Sequence, residues 1–113
     1  MGGATLNWTN EERDGARIIA PAGRVDEATA TEFTERLSET AAGGGKLVLD
    51  LSSIAYMSSR GLRALTLAER KGSEVGTTIV LARPNETMRE ILAISRYDMV
   101  FRVAETIEDA LAG

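Results

Sequence analysis

Neither cysteine nor histidine occurs in this sequence of 113 residues, and the two absences narrow its chemistry more than any motif does. Ser-His and Cys-His nucleophilic pairs are excluded. Zinc sites draw mostly on the same two residue types, so no metal centre is expected and only weak carboxylate sites for harder cations are left. Long apolar runs are missing as well. Nothing approaches the roughly 18–20 residues that a membrane span needs, and the start lacks the basic-then-apolar pattern of a signal peptide. A cytoplasmic protein with no membrane insertion is the expectation. Positive charge is in deficit, with 13 basic against 17 acidic residues and a net charge of −4, which disfavours a nucleic-acid surface. No Walker-type Gly-x-x-x-x-Gly-Lys-Ser/Thr stretch is present, and Gly43-Gly44-Gly45 precedes an expected strand rather than a helix, so no nucleotide or other cofactor is expected. Protein partners are the default.

What remains is an ordinary globular composition, 43% hydrophobic and 27% charged, in a chain whose length suits one domain over residues 1–113. Ala4, Leu6 and Trp8 alternate with polar residues, and Ile18-Ile19 lies in a second apolar run beyond Asp14-Gly15, a strong turn signal. The pattern predicts an opening β-hairpin, with Glu11-Glu12 in a solvated loop and Pro21 and Gly23 closing the second strand. Trp8 reads as a packed hairpin position rather than a ligand platform. Asp26 then caps a helix carrying Ala30, Phe33, Leu37 and Ala41 on one face, stopped by the three glycines.

Leu47-Val48-Leu49 with Leu51 is a nearly continuous apolar run, the signature of a central strand covered on both faces. Asp50 at its end is suited to bracing the following turn. Beyond Ile54-Ala55-Tyr56-Met57, to which no element is assigned, Ser58-Ser59 opens a helix with Leu62, Leu65 and Ala68 at helical spacing, ended by Arg70-Lys71-Gly72. Thr77 to Leu81 reads as a further strand. Asn85 caps a helix burying Met88, Ile91 and Leu92, Met88 as core filling. Val100-Phe101 with Val103 suits a short edge strand, and Thr106 and Asp109 have capping-box-like spacing before a terminal helix bearing Ile107, Ala110 and Leu111. Alternation of this kind implies an α/β fold, a mixed, mostly parallel sheet of four to five strands with about four helices. Sites in such sheets gather where strands run out into helix starts, here the turns Gly23 to Glu27 and Met57 to Gly61.

The segment from Leu47 to Leu62, with Asp50-Leu51, a short spacer and then Ser58-Ser59-Arg60-Gly61-Leu62, resembles the signature of STAS domains, the family of bacterial anti-sigma-factor antagonists. Gly23-Arg24-Val25-Asp26 is similar to the Gly-x-hydrophobic-Asp element that follows the second strand in that family, and the likeness extends through the tail from Gly76 to Leu111. Aligned through Gly61-Leu62, the resemblance implies a phosphoacceptor at Ser59, with Ser58 as second choice. Ser58 stands where an acidic residue is usual, and Arg60 where a small one is.

The resemblance further implies a regulator rather than an enzyme. Unphosphorylated, it would bind an anti-sigma serine kinase and release a sigma factor; phosphorylation of Ser59 would switch binding off, and a serine phosphatase would reset it. Partner contact is expected at Asp26, Ser58, Ser59, Arg60, Gly61, Leu62 and Arg63. An alternative is a non-switching module of the same fold, a stressosome scaffold or the cytoplasmic partner of a transport complex. A hydrolase using Ser59 would need Lys46 or Lys71 as its amine base. The plainest reading of a serine before a helix is an N-cap, worth about 1 kcal/mol.

Overall fold

The computed structural model describes residues 5–113, so Ala4, the first member of the expected alternation, lies outside it. Asp14 and Gly15 both take positive φ, 55° and 80°, the backbone of a two-residue hairpin turn whose twist matches its flanking strands. They join β1 (Asn7–Arg13) to β2 (Ala16–Val25) in antiparallel register from Asn7↔Ala22 to Arg13↔Ala16. Glu11 and Glu12 are exposed within β1 rather than in a loop. Trp8 is half-buried, with its ring 5.9 Å from that of Phe33 and its Nε1 donating to Glu32 Oε2 at 3.1 Å.

Pro21 and Gly23 do not end the second strand. β2 pairs in parallel first with β3 (Gly45–Asp50), through Arg17 to Ile19, and then with β4 (Ile54–Met57), through Gly23 to Val25. Gly23 donates its N–H to Ser53 O at 3.0 Å on that side. Two residues earlier, Pro21 faces the same way in the gap between the two partners, where a missing donor breaks no ladder. β4 is an element the apolar pattern did not reveal. Its register slips by one residue, Gly23 opposing Ile54 but Arg24 opposing Tyr56, so Ala55 is a bulge.

The remaining strands are β5 (Thr77–Ala82), parallel to β3, and β6 (Arg102–Ala104), parallel to β5. The order is β1-β2-β3-β5-β6 with β4 beside β2, six strands rather than four to five. The edge strand begins later than expected: Phe101 is buried ahead of it and Val100 is exposed. β3 is central, and Leu47, Val48 and Leu49 are fully buried. The helices are α1 (Ala30–Ala41), α2 (Ser59–Val75), α3 (Glu86–Ser95) and α4 (Ile107–Ala112), with a 3₁₀ turn at Tyr97–Met99. Phe33 and Leu37 of α1, Leu65 and Ala68 of α2, and Met88 and Leu92 of α3 meet Leu47, Leu49, Ile79 and Leu81 on one face of the sheet. α4 covers the other, where Ala110 packs with Ile18, Val48 and Val80.

α2 does not stop at Gly72. It runs to Val75, and Gly76, at φ 79°, is the left-handed cap, its N–H bonding Gly72 O. Gly72 instead lets the helix approach β5, since a Cβ there would lie 3.0 Å from Thr77 O. At the starts of α3 and α4 the caps are as expected: Asn85 Oδ1 accepts from Met88 N at 2.9 Å and Thr106 Oγ1 from Asp109 N at 3.0 Å. Asn85 does a second job. Its Nδ2 donates to Ile54 O at 2.7 Å and to Ser52 O at 3.2 Å, tying α3 to the turn between β3 and β4. Asp50 Oδ1 accepts from Ser52 N at 3.0 Å and faces Arg83 Nε at 3.4 Å, so that turn is braced from both ends, and with it the position of everything that follows β4.

Candidate functional site

β2 and β4 end side by side, and the chain leaves each of them into a helix. Ser58 N donates to Val25 O at 2.8 Å, pinning the start of α2 to the last residue of β2. Ser58 is the N-cap, extended at φ −77° and ψ 175°, and its carbonyl accepts from Leu62 N at 3.1 Å. Its side chain makes no cap bond: Ser58 Oγ is shut off from solvent and has no hydrogen-bond partner among the described residues. Ser59, the first helical residue, is exposed, and among the described residues its hydroxyl has no partner. The two serines thus differ sharply, one occupying the cap position with its hydroxyl enclosed, the other presenting a free hydroxyl to solvent.

A buried, unpartnered hydroxyl costs about 1–3 kcal/mol of desolvation. Removing Ser58 Oγ therefore removes that cost along with a cap bond that is not made. Ser58→Ala is expected to leave the thermal midpoint unchanged or raised, in contrast to the loss of about 1 kcal/mol usual for an N-cap serine. Thermal unfolding followed by circular dichroism checks it.

Gly61 is buried against β2 and β4, where a Cβ would collide with Met57 Cγ and lie 2.7 Å from Val25 Cγ1. As a residue for partner contact it is out of reach. Leu62 is half-buried and packs against the core, while Arg60 and Arg63 are exposed. Asp26 does not cap α1. The N-cap is Thr29, and Asp26 sits a turn earlier with Oδ1 accepting from Ala28 N at 3.0 Å. Thr29 Oγ1 completes that turn, donating to Arg24 O at 2.6 Å and accepting from Asp26 N at 3.0 Å.

The two turns face each other across Arg60 and Glu27, 3.0 Å apart. Both side chains are more than half exposed, so the pair contributes at most about 1 kcal/mol and serves to orient rather than to hold. Arg24 and Tyr56, opposite each other in register, add an exposed stack with the guanidinium 4.7 Å from the ring centroid, and Arg24 Nε lies 3.7 Å from Asp26 Oδ2. Arg24, Glu27 and Tyr56 were absent from the expected contact set. Their signal lay in the Gly23 to Asp26 element and in the exposure pattern of β4, neither of which shows from composition. The first turn of α2 carries no acidic residue. The surface that presents the Ser59 hydroxyl thus carries three exposed arginines, Arg24, Arg60 and Arg63.

Neither lysine supports nucleophilic chemistry at Ser59. Lys46, at the opposite end of the sheet, donates through Nζ to Ala110 O at 3.0 Å. Lys71 lies twelve residues further along α2 than Ser59, about 18 Å at helical rise.

Residues 7–110 match the model of the STAS domain, and the chain belongs to that family. It is 31% identical to the anti-sigma-F factor antagonist RsfB of Mycobacterium tuberculosis over 96% of this chain and 89% of that one. Among solved structures, an anti-sigma factor antagonist from Mycobacterium paratuberculosis superposes with a TM-score of 0.80 at 27% identity, covering 95% of this chain and 92% of its own. The phosphorylated form of the Bacillus cell-fate determinant SpoIIAA shares the fold, with a TM-score of 0.67 at 18% identity over 94% and 97% of the two chains.

Proposed function

We infer that this chain is an anti-sigma-factor antagonist whose binding is switched by phosphorylation of Ser59. The observation that carries the reading is the hydroxyl of Ser59, exposed and uncommitted on the first residue of a 17-residue helix in a STAS fold. Relatives named as anti-sigma factor antagonists, and a phosphorylated form known for a protein of the same fold, support it. In the unmodified state the surface around Ser59 captures an anti-sigma serine kinase in the cytoplasm and so releases a sigma factor. The kinase brings its own ATP and magnesium. Its γ-phosphoryl group passes to Ser59 Oγ, forming the Oγ–P bond as the bond to ADP breaks and the hydroxyl proton is released. A serine phosphatase reverses the modification by hydrolysis.

The test uses the kinase captured from the native cell by the unmodified protein. Incubation with ATP and magnesium is expected to add one phosphate, located by mass spectrometry to Ser59, retained in Ser58→Ala and abolished in Ser59→Ala. Phosphate on Ser58, or none on either serine, rejects the reading. Capture of transporter subunits or of a large assembly in place of a kinase would favour a non-switching module of the same fold.

A further inference from the structure

We propose that Arg63 is the counter-charge for a phosphate on Ser59, holding the modified serine against the first turn of α2 by an ion pair four residues apart. The proposal rests on the reading of Ser59 as phosphoacceptor and adds a residue to it. Residues four apart on a helix are surface neighbours, with Cβ atoms about 5–6 Å from each other. Every Cα–Cβ bond of a helix tilts towards its N-terminus, so the side chain of Arg63 leans back over the turn that carries Ser59.

The charges around Arg63 are unbalanced in the unmodified chain. Arg63 is exposed and has no ion-pair partner among the described residues, whereas Arg60, the other cation of this turn, lies 3.0 Å from Glu27. The helical neighbours of Arg63 are Ser59 and Arg60 on one side and Thr66 and Leu67 on the other, none of them acidic. Arginines at positions 60 and 63 therefore repel one another beside the positive end of a helix dipole, the end that favours anions. A group bearing about −1.5 to −2 charges on Ser59 brings the charge of this turn close to zero and finds a planar donor fork ready for its oxygens. The enclosed hydroxyl of Ser58, next to Ser59 in the chain, adds no negative charge that would oppose the phosphate.

The experiment places phosphoserine at position 59 during translation, without any kinase, and titrates it by phosphorus-31 NMR. The second ionisation of a phosphoserine lies near about 6. In the otherwise unaltered protein it is expected below that value, and Arg63→Gln is expected to raise it by about 0.3 unit or more. Arg63→Lys, which keeps the charge, should stay close to the parent. Arg70→Gln, about 16 Å along the helix from Ser59 and beyond the screening length of about 8 Å, should leave it unmoved. A titration of Arg63→Gln that overlays the parent, or an equal shift in Arg70→Gln, overturns the proposal. Failure of a kinase to modify Ser59 would reject the functional reading and leave this measurement standing.

Discussion

Gly61→Ala is expected to destabilise the chain by about 1–3 kcal/mol, the usual cost of forcing volume into a packed core. A Cβ at this position meets two side chains at once. Met57 is unbranched and can rotate away, but it is 2% exposed and has little free space to enter. Val25 is fully buried, and its χ1 is stiff because it is β-branched. The remaining relief is a shift of α2 away from β2 and β4. That shift would stretch the bond from Ser58 N to Val25 O, which sets where the helix begins. Chemical denaturation should show the midpoint falling with little change in slope, and Gly61→Val should fall further. A Gly61→Ala protein as stable as the parent would mean that the helix start is not pinned in this way. Because Ser59 stands two residues before Gly61, the same substitution is expected to slow its modification even in the folded fraction.

The glycine shows why part of the site escaped a reading of residues alone. Gly61 was expected in partner contact, since a glycine in a first turn suits close approach of another molecule equally well. Only the packing of β2 and β4 beneath it decides between the two roles, and β4 itself was not foreseen. Ile54-Ala55-Tyr56-Met57 is four residues long, carries a bulge and pairs with a strand distant in sequence, so no local period marks it. Gly72 misled in the same manner. Glycine stops helices and also allows close packing, and the positive φ that marks the true stop belongs to Gly76.

Where local chemistry is unambiguous, reading and structure agree. The Asp14-Gly15 turn, the Asn85 and Thr106 caps and the apolar face of α1 each depend on residues within about four positions of one another. Asp26 marks the boundary of that success. Its short carboxylate does accept a backbone N–H two residues on, but it organises the turn before α1 and not the helix itself. The exposure of Ser59 beside an enclosed Ser58 could not be told from two adjacent serines, because it depends on the angle at which α2 leaves β4.

That exposure underlies the second large effect. Phosphoserine at position 59 is expected to weaken capture of the kinase by about a hundredfold or more, two steps of 1.4 kcal/mol, while the thermal midpoint of the chain alone changes little. The chain tolerates the group because it projects into solvent from the positive end of a helix whose first turn holds no acid, a placement worth about 0.3–1 kcal/mol in its favour. The penalty therefore falls on the complex. A partner surface fitted to a neutral hydroxyl must accommodate three further oxygens and desolvate a dianion, of which one arginine offsets only part; a charge left buried and unpaired at an interface costs about 2–5 kcal/mol. Ser59→Ala, which removes one hydroxyl and adds nothing, should bind within a few-fold of the parent. Ser59→Asp, with a single charge on a shorter arm, should fall between the two. Calorimetric titration of the kinase with all four proteins orders them directly. If the phosphorylated chain binds as the parent does, or if it unfolds when modified, the switch does not reside in the contact surface.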